Sequence, residues 1–227
     1  TVNNLSSDDL LSEITFALHA GEVLGIAGLP GAGKDELVEC CFGLRNYTGE
    51  IEVDGIAVNL KSPADAIEQG LAFIPADRRE SGALSQMGVK ENIVAANLSS
   101  ISNGGMINRT AIENAGQDLV DKLDIRIASL NQQMATLSGG NQQKTILARS
   151  LYTSPDILIL HEPTRGIDVG AKAEIYWILQ DLATQGVGIL IDSSELPELI
   201  GQCDRILVMY NVRITGEFSH EEAEEEP

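Results

Sequence analysis

The chain has 227 residues, a hydrophobic content of 43% and a formal net charge of −19. This length and apolar content suit one compact domain, or one core with a small lobe. The negative charge disfavours a protein that neutralises phosphate backbones over a broad basic surface, so nucleic acid is not expected as a principal partner. The three cysteines lack metal-ligand spacing and are too few for a disulfide framework, which fits a reducing compartment.

Short apolar runs alternate along the chain with helical patterns, which is typical of a mostly parallel sheet covered by helices. Residues 47–60, with an Asp54–Gly55 turn, predict a hairpin in a β lobe, and Ser62–Pro63 predicts a capped helix start. Helical spacing at 111–123 predicts a helical lobe, at about 80–133, inserted into the α/β core. Buried strands are predicted at 23–27, 71–74, 157–160, 189–191 and 206–209.

The two ends of the chain carry less information. The N-terminal residues show no charged-then-apolar signal, and no apolar run approaches the about 20 residues that span a bilayer. We therefore expect a cytoplasmic protein whose membrane role, if it has one, is exerted through a partner. The acidic tail at 220–227 is expected to be a solvated chain end.

A glycine-rich loop follows the first predicted strand and precedes a helical pattern at 36–42. Its sequence matches the phosphate-binding pattern G-x-x-x-x-G-K-[ST] except at the last position, where Asp35 replaces the hydroxyl that coordinates Mg²⁺. In such loops backbone N–H groups and a helix N-terminus approach the phosphates, and the lysine neutralises charge. An ordinary glycine-rich turn is the alternative for this motif taken alone. The candidate nucleotide-binding residues are Gly28, Pro30, Gly31, Ala32, Gly33, Lys34, Asp35 and Glu36.

His161 and Glu162 follow the predicted strand at 157–160, at the sheet edge where open α/β sheets place their ligands. Glu162 is suited to orient or deprotonate a water that attacks a γ-phosphate. Strands that deliver carboxylates to a site of phosphate hydrolysis usually end with the residues Asp-Glu, and the aspartate holds Mg²⁺. Imidazole is a poor ligand for Mg²⁺, so we interpret His161 as loss of that site and predict no metal ligand here.

A second anion site is predicted before a helical pattern at 141–151. Ser138 can cap this helix, and the N–H groups of Gly139 and Gly140 at its start can receive a γ-phosphate. A capped surface helix that binds nothing fits the same residues. The segment consists of Leu137, Ser138, Gly139, Gly140, Asn141 and Gln142.

These motifs, in this order over nearly the whole chain, resemble the nucleotide-binding domain of an ABC transporter. The stretches 137–144, 162–172, 73–79 and 193–198 resemble more narrowly the second half of tandem ATPases in bacterial ribose-type and galactose-type monosaccharide importers. The resemblance implies a RecA-like P-loop core with a β lobe and a helical lobe. It also implies pairing with a second nucleotide-binding domain, so that each ATP lies between the P-loop of one domain and the Leu-Ser-Gly-Gly segment of the other.

The same resemblance implies membrane permease subunits as partners and, indirectly, a periplasmic or extracellular sugar-binding protein, with the chain at the cytoplasmic face of the bacterial membrane. The second nucleotide-binding domain is expected on the same polypeptide. Asp168 is expected at the seam between the two domains. The stretch 83–93, with apolar Met87, Val89 and Ile93, is expected from the resemblance to face a membrane subunit, although an apolar stripe of this kind is otherwise more often part of a core.

Several positions depart from the family pattern. The glutamine that couples Mg²⁺ to the membrane subunits aligns with Ala76, the switch histidine aligns with Ser194, and residues 5–14 contain no aromatic side chain to stack on adenine. Together with Asp35 and His161, these changes imply weak ATP binding, no adequate Mg²⁺ site and an idle Glu162. Asp35 and His161 are either two unrelated changes or a pair whose side chains meet in place of the metal.

The main interpretation is a degenerate half of a sugar importer that lends its Leu137–Gln142 segment to a partner's ATP site. The alternative is an autonomous Mg²⁺-dependent ATPase that drives sugar import, with Asp35 as a metal ligand and Glu162 as the base. A soluble ABC-type ATPase of DNA repair or translation is disfavoured by the acidic surface and the importer-like motifs.

Overall fold

The computed structural model describes residues 1–8, 10–103 and 106–223, so part of the predicted acidic tail, 224–227, lies outside the described residues. Among these residues the strands are β1 (Val2–Ser7), β2 (Leu11–Phe16), β3 (Val23–Gly28), β4 (Thr48–Val53), β5 (Ile56–Val58), β6 (Leu71–Ile74), β7 (Ser102–Asn103), β8 (Met106–Ile107), β9 (Ile157–His161), β10 (Gly188–Asp192), β11 (Arg205–Tyr210) and β12 (Arg213–Ser219). The helices are α1 (Lys34–Cys41), α2 (Pro63–Glu68), α3 (Val89–Val94), α4 (Arg109–Lys122), α5 (Gly139–Leu151), α6 (Val169–Thr184) and α7 (Leu196–Gln202).

The chain forms two compact units. The first comprises Thr1–Phe73, Pro155–Pro163 and the chain from Leu179 onward, and the second comprises Ile74–Ser154 and Thr164–Ile178. The predicted helical lobe at 80–133 falls within the second unit. No helix in the described ranges is both long and apolar enough to cross a membrane.

The main sheet of the first unit has the strand order β12-β11-β3-β10-β9-β6. Strand β3 pairs in parallel with β10 and β11, β10 pairs in parallel with β9, and β12 adds an antiparallel edge. Continuous apolar runs are typical of parallel strands buried on both faces. The apolar runs predicted these strands correctly: all five are confirmed, each to within one residue at either end.

A second, antiparallel sheet of the first unit has the order β2-β1-β4-β5. The predicted hairpin is confirmed as β4 and β5, joined by Asp54 and Gly55 with φ of 52° and 74°. Positive φ at both central residues suits the twist of a two-residue hairpin turn. The other two strands of this sheet, β1 and β2, were not predicted. Their buried Leu5 and Ile14 face each other in register and belong to the same apolar core as the main sheet.

The second unit is mainly helical, and α3 packs against both α4 and α5. Helix α4 confirms the helix predicted at 111–123 and begins two residues earlier, because the Asn108 side chain accepts a hydrogen bond from the Ala111 N–H as its cap. The expectation that Val89 and Ile93 face a membrane subunit is wrong. Both side chains are fully buried, whereas Met87, in the same stretch, is exposed.

Candidate functional site

The glycine-rich loop runs from the end of β3 to the start of α1. Gly31 and Gly33 adopt φ of 81° and 99°, in the region that favours glycine. A Cβ at Gly33 would lie 2.9 Å from the Leu10 carbonyl oxygen, so glycine is required there by space as well. The helix predicted to start at 36 begins instead at Lys34, because Gly33 closes the loop as its N-cap. Asp35 and Glu36 therefore lie in the first turn of α1.

Lys34 points inward to a buried carboxylate. Its Nζ lies 2.6 Å from Asp192 Oδ1 and 4.0 Å from Glu162 Oε1, and the side chains of Lys34 and Asp192 are 4% and 0% exposed. Burial raises the pKa of the Asp192 carboxyl above its ordinary value, and the hydrogen bond from Lys34 opposes this rise. Asp192 was not among the site residues predicted from the sequence. Its position at the end of an apolar run, beside His161 on the neighbouring strand, was the available signal.

Asp35 and His161 come together as a pair. His161 Nε2 lies 3.4 Å from Asp35 Oδ1 and 3.3 Å from Asp192 Oδ2. The parallel register of β9 and β10 places His161 directly beside Asp192, and the first turn of α1 supplies Asp35. The imidazole thus faces two carboxylates. The contact with Asp35 was one of the two alternatives considered from the sequence, and the contact with Asp192 was not predicted.

Glu162 is held by its neighbours. Its backbone has a φ of 47°, and its N–H donates to the Asp192 carbonyl oxygen at 2.8 Å. The Ser194 hydroxyl donates to Glu162 Oε2 at 3.1 Å. The carboxylate therefore accepts from Ser194 on one oxygen and faces the Lys34 ammonium with the other. We name residues 28–36, His161, Glu162, Asp192 and Ser194 the P-loop cluster.

The P-loop cluster does not fit Mg²⁺. This ion prefers near-octahedral oxygen ligands at about 2.0–2.1 Å. Here the strand end offers the imidazole of His161, and Asp35 stands where the pattern has a neutral hydroxyl.

The second anion site lies at the start of α5, in the second unit. The Ser138 side chain caps this helix: its Oγ accepts from the Asn141 N–H at 3.5 Å and from Asn141 Nδ2 at 2.9 Å. The helix begins at Gly139, two residues before the predicted start, because Ser138 provides that cap. The N–H groups of Gly139 and Gly140 thus belong to the first turn, where backbone donors have no partner inside the helix.

Packing requires the second glycine of this segment. A Cβ at Gly140 would lie 2.5 Å from the Ala171 Cβ on α6. Leu137 is buried, and the Gln142 amide donates to the carbonyls of Met134 and Leu137, both at 3.2 Å. These contacts fix the backbone on both sides of the helix start.

Two cations lie near the capped start of α5: Lys144 is part of this helix, and Arg126 precedes it in the chain. Lys144 Nζ and the Arg126 guanidinium each lie 3.0 Å from a different oxygen of Glu174, and Lys144 also donates to the Asp124 carbonyl. The Arg126 N–H donates to Asn141 Oδ1 at 2.8 Å. This Arg126–Glu174 contact could not be predicted from the sequence, because it joins residues 48 apart. We name residues 137–142, Arg126, Lys144, Glu174 and Asp168 the signature cluster.

Asp168 precedes α6 and behaves as a helix cap, since its Oδ1 accepts from the Ala171 N–H at 3.1 Å. The loop before it is gripped by Arg78, whose two terminal nitrogens donate to the carbonyls of Arg165 at 2.6 Å and Gly166 at 3.2 Å. A cleft of about 190 Å³ is lined by Ser138, Gly140 and Asp168 among other residues. The place of Asp168 at a domain seam stays a prediction.

Comparison with known proteins decides the family. A family model described as "ABC transporter" matches residues 11–165. The chain belongs to the ABC transporter family. Among its relatives, the ribose import ATP-binding protein RbsA of Shouchella clausii is 45% identical over 99% of this chain and 45% of its own length. The xylose import ATP-binding protein XylG of Moorella thermoacetica is 48% identical over 96% of this chain and 43% of its own length.

Solved structures of ABC cassettes share the fold. A nucleotide-free ATP-binding cassette superimposes with a TM-score of 0.84 at 20% identity, covering 96% of this chain and 90% of that one. A dimeric bacterial ABC transporter cassette gives a TM-score of 0.80 at 20% identity, covering 96% and 97%. The expected α/β class, with a P-loop core and an antiparallel lobe, is confirmed. This ABC family member spans less than half the length of the curated relatives named above.

Proposed function

We propose that this chain is a degenerate nucleotide-binding domain of an ABC importer for ribose-type monosaccharides. In this proposal it supplies Leu137–Gln142 to the ATP site of a second nucleotide-binding domain, while its own P-loop binds ATP weakly and without Mg²⁺. The observation that carries the proposal is the contact of His161 with Asp35 and Asp192, because it places an imidazole, a poor ligand for Mg²⁺, against the two carboxylates that could otherwise bind this ion.

Three further contacts support a weak nucleotide site. Lys34 must leave a buried carboxylate, at 2.6 Å, before it can neutralise a phosphate. Glu162 accepts a hydrogen bond from Ser194 on one oxygen and faces Lys34 with the other, so both of its oxygens lie near protein groups. No aromatic residue occurs at 5–14, and the loss of base stacking costs about 1–3 kcal/mol by analogy with nucleic-acid bases.

The signature cluster supports the other half of the proposal. A capped helix start with glycine N–H groups is an anion site by its dipole and its donors. Arg126 and Lys144 lie next to it and reduce the repulsion that Glu174 would otherwise exert on a phosphate. The cleft of about 190 Å³ is smaller than the roughly 300–1,000 Å³ of a complete ligand pocket, as expected of a surface that supplies only part of a site.

The import proteins named above support the remaining parts of the proposal. The partners would be a second nucleotide-binding domain, on the same polypeptide, and membrane permease subunits that receive sugar from a binding protein outside the membrane. The location would be the cytoplasmic face of the bacterial membrane. Residues 1–227 would act as one ABC-type domain with a helical subdomain at about 80–133 and Asp168 at the seam to the second domain.

The test is ATP hydrolysis by the assembled importer with changes in each cluster of this chain. Ser138→Arg places a long side chain over the anion site and should lower ATP turnover by about 100-fold or more, because the donors for the partner's γ-phosphate are blocked. Glu162→Gln should leave turnover unchanged. The reverse result, in which Glu162→Gln stops hydrolysis and Ser138→Arg does not, would establish the autonomous ATPase instead.

A binding measurement on the chain alone separates the same alternatives. Calorimetric titration with ATP, once with Mg²⁺ and once with EDTA, should give weak binding that does not depend on the metal. Tight binding that requires Mg²⁺ would mean that Asp35 has rebuilt a working metal site, and would contradict a degenerate P-loop cluster.

A further inference from the structure

We propose that Asp35, His161 and Asp192 form a site for a first-row transition-metal ion, with Zn²⁺ as the best match, and that the ion binds without nucleotide. The proposal goes beyond the importer function, because it concerns what replaces Mg²⁺ in the P-loop cluster. It does not depend on whether Ser138 serves a partner domain.

The two separations that involve the His161 nitrogen match those of a tetrahedral metal site. The atoms all lie within 4.8 Å of one another, and the His161 nitrogen is 3.3 and 3.4 Å from its two carboxylate oxygens. Bonds of about 2.0–2.1 Å from Zn²⁺ to nitrogen and oxygen put neighbouring ligands of a tetrahedron roughly 3.3–3.4 Å apart. Hydrogen bonds from N–H to oxygen are usually shorter, at about 2.9–3.0 Å.

One ligand atom is buried without a hydrogen bond. Asp192 is 0% exposed, its Oδ1 accepts from Lys34, and its Oδ2 has no hydrogen-bond partner among the residues that the structure describes. That oxygen points to His161 Nε2. A buried oxygen of this kind costs free energy unless a donor or a cation satisfies it.

A divalent ion satisfies all three groups together, and a proton does not. A single proton on His161 Nε2 can make one good hydrogen bond, but two carboxylate oxygens face that nitrogen. An ion among the three atoms would bind both carboxylates and the ring nitrogen. Lys34 leaves this position open because it holds the other oxygen of Asp192.

The donor types select the class of metal. One imidazole nitrogen with two carboxylate oxygens suits Zn²⁺ and similar first-row ions, whereas Mg²⁺ and Ca²⁺ favour oxygen alone. Asp35 has a side chain 64% exposed, which leaves the site open to solvent for entry of the ion and for a water as fourth ligand. The two carboxylates supply two negative charges, equal to the charge of the ion.

The first experiment is calorimetric titration of Zn²⁺ into the chain, without nucleotide and with Mg²⁺ in large excess. We expect one tight site that Mg²⁺ does not displace. Asp35→Ala and His161→Ala should each weaken it by about 100-fold or more, since even the loss of an outer partner of a metal ligand costs about 10–100-fold. Asp35 is the safer change for folding, because its side chain is largely exposed.

Two exposed histidines outside the cluster provide matched controls. His19→Ala and His220→Ala should leave the tight site unchanged, although His220 precedes two acidic residues and can itself attract Zn²⁺. Retention of the tight site in both Asp35→Ala and His161→Ala would overturn the proposal. Loss of it in His220→Ala would overturn it as well, because the ion would then lie at the tail.

X-ray absorption at the zinc edge gives a second readout. The expected first shell contains nitrogen and oxygen at about 2.0–2.1 Å with imidazole scattering. A sulfur neighbour at about 2.3 Å would place the ion on a cysteine and contradict the assignment. The titration with ATP and Mg²⁺ described above tests the importer proposal separately. The metal-site proposal and the importer proposal can therefore fail independently of each other.

Discussion

The P-loop cluster and the signature cluster keep the same kind of backbone but use their side chains in opposite ways. In the P-loop cluster the glycine geometry is retained, and yet Lys34, Asp35 and Glu162 contact protein groups. In the signature cluster the Ser138 hydroxyl and the cations secure a helix start and leave its glycine N–H groups to a ligand. Different residues therefore determine the anion-binding backbone and the side-chain contacts around it, so one can change while the other is kept.

Removal of Lys34 should have the largest effect on stability. Lys34→Ala leaves the buried Asp192 carboxylate without its ammonium partner, and we expect a loss of about 3–5 kcal/mol in the free energy of unfolding. The matched change in the signature cluster is Lys144→Ala. Its partner Glu174 is 39% exposed and stays solvated, so the loss should be smaller, about 1–3 kcal/mol. Urea unfolding of the two variants measures both.

A second-site change checks the cause of the Lys34 effect. Asp192→Asn in the Lys34→Ala background removes the buried charge and should recover much of the lost stability, because neighbouring groups are not additive. If the double variant is no more stable than Lys34→Ala, the ion pair is not the source. Equal losses for Lys34→Ala and Lys144→Ala would remove the contrast between the clusters.

Gly140→Ala should have an intermediate effect. The new Cβ would lie 2.5 Å from that of Ala171, and overpacking of this kind costs about 1–3 kcal/mol. Adding Ala171→Gly should relieve the contact, so that the double variant loses less than the sum of the two single changes. Gly201→Ala in α7 is the control in the first unit: nothing lies within 4 Å, and we expect a gain of about 0.5–1 kcal/mol. Thermal unfolding provides the readout.

The smallest expected effect concerns the buried thiols. Cys41 and Cys203 should not react with an alkylating reagent in the native chain. Burial raises the pKa of Cys41 and of Cys203 to about 12, so almost no thiolate is present at neutral pH. Iodoacetamide at pH 8 should modify both only after unfolding. Because the folded-state pKa is raised, these thiols stabilise the fold below the unfolded value of about 8.5, and that contribution is lost as the pH rises toward the folded value.

All three cysteines lie in the first unit, so their labelling reports on the unit that holds the P-loop cluster. Lys34→Ala should label faster than the wild type at the same pH, because it weakens that unit. Rapid labelling of the native wild type would contradict the burial of Cys41 and Cys203.

The sequence predicted what depends on local pattern. Apolar runs indicated the five central strands, and Asp54–Gly55 indicated the hairpin turn. The contact of Asp35 with His161 was one of two alternatives that the family resemblance left open, and the structure shows that contact. Strands β1, β2 and β12 were missed because their alternating polar residues give weak signals in an α/β pattern. Helix starts were placed two residues late at Lys34 and at Gly139, since the cap and not the apolar pattern begins the helix.

Contacts between side chains that are distant in sequence could not be predicted from sequence patterns. Asp192 meets Lys34 across 158 residues, and the contact exists because parallel strands end at one sheet edge. Arg126 contacts Glu174 across 48 residues, and the local sequence of neither segment indicates that the two come together. Such contacts need the tertiary arrangement of strands and helices before any pairing can be assigned.

The grip of Arg78 on the loop before Asp168 has a mechanical consequence. A planar guanidinium that donates through two nitrogens to consecutive carbonyls resists rotation as well as translation, whereas a single donor could swing freely. A displacement of the segment that follows Ala76 must therefore break two hydrogen bonds or carry Arg165 and Gly166 with it. Movement of that segment would thereby be transmitted to the start of the helix that Asp168 caps.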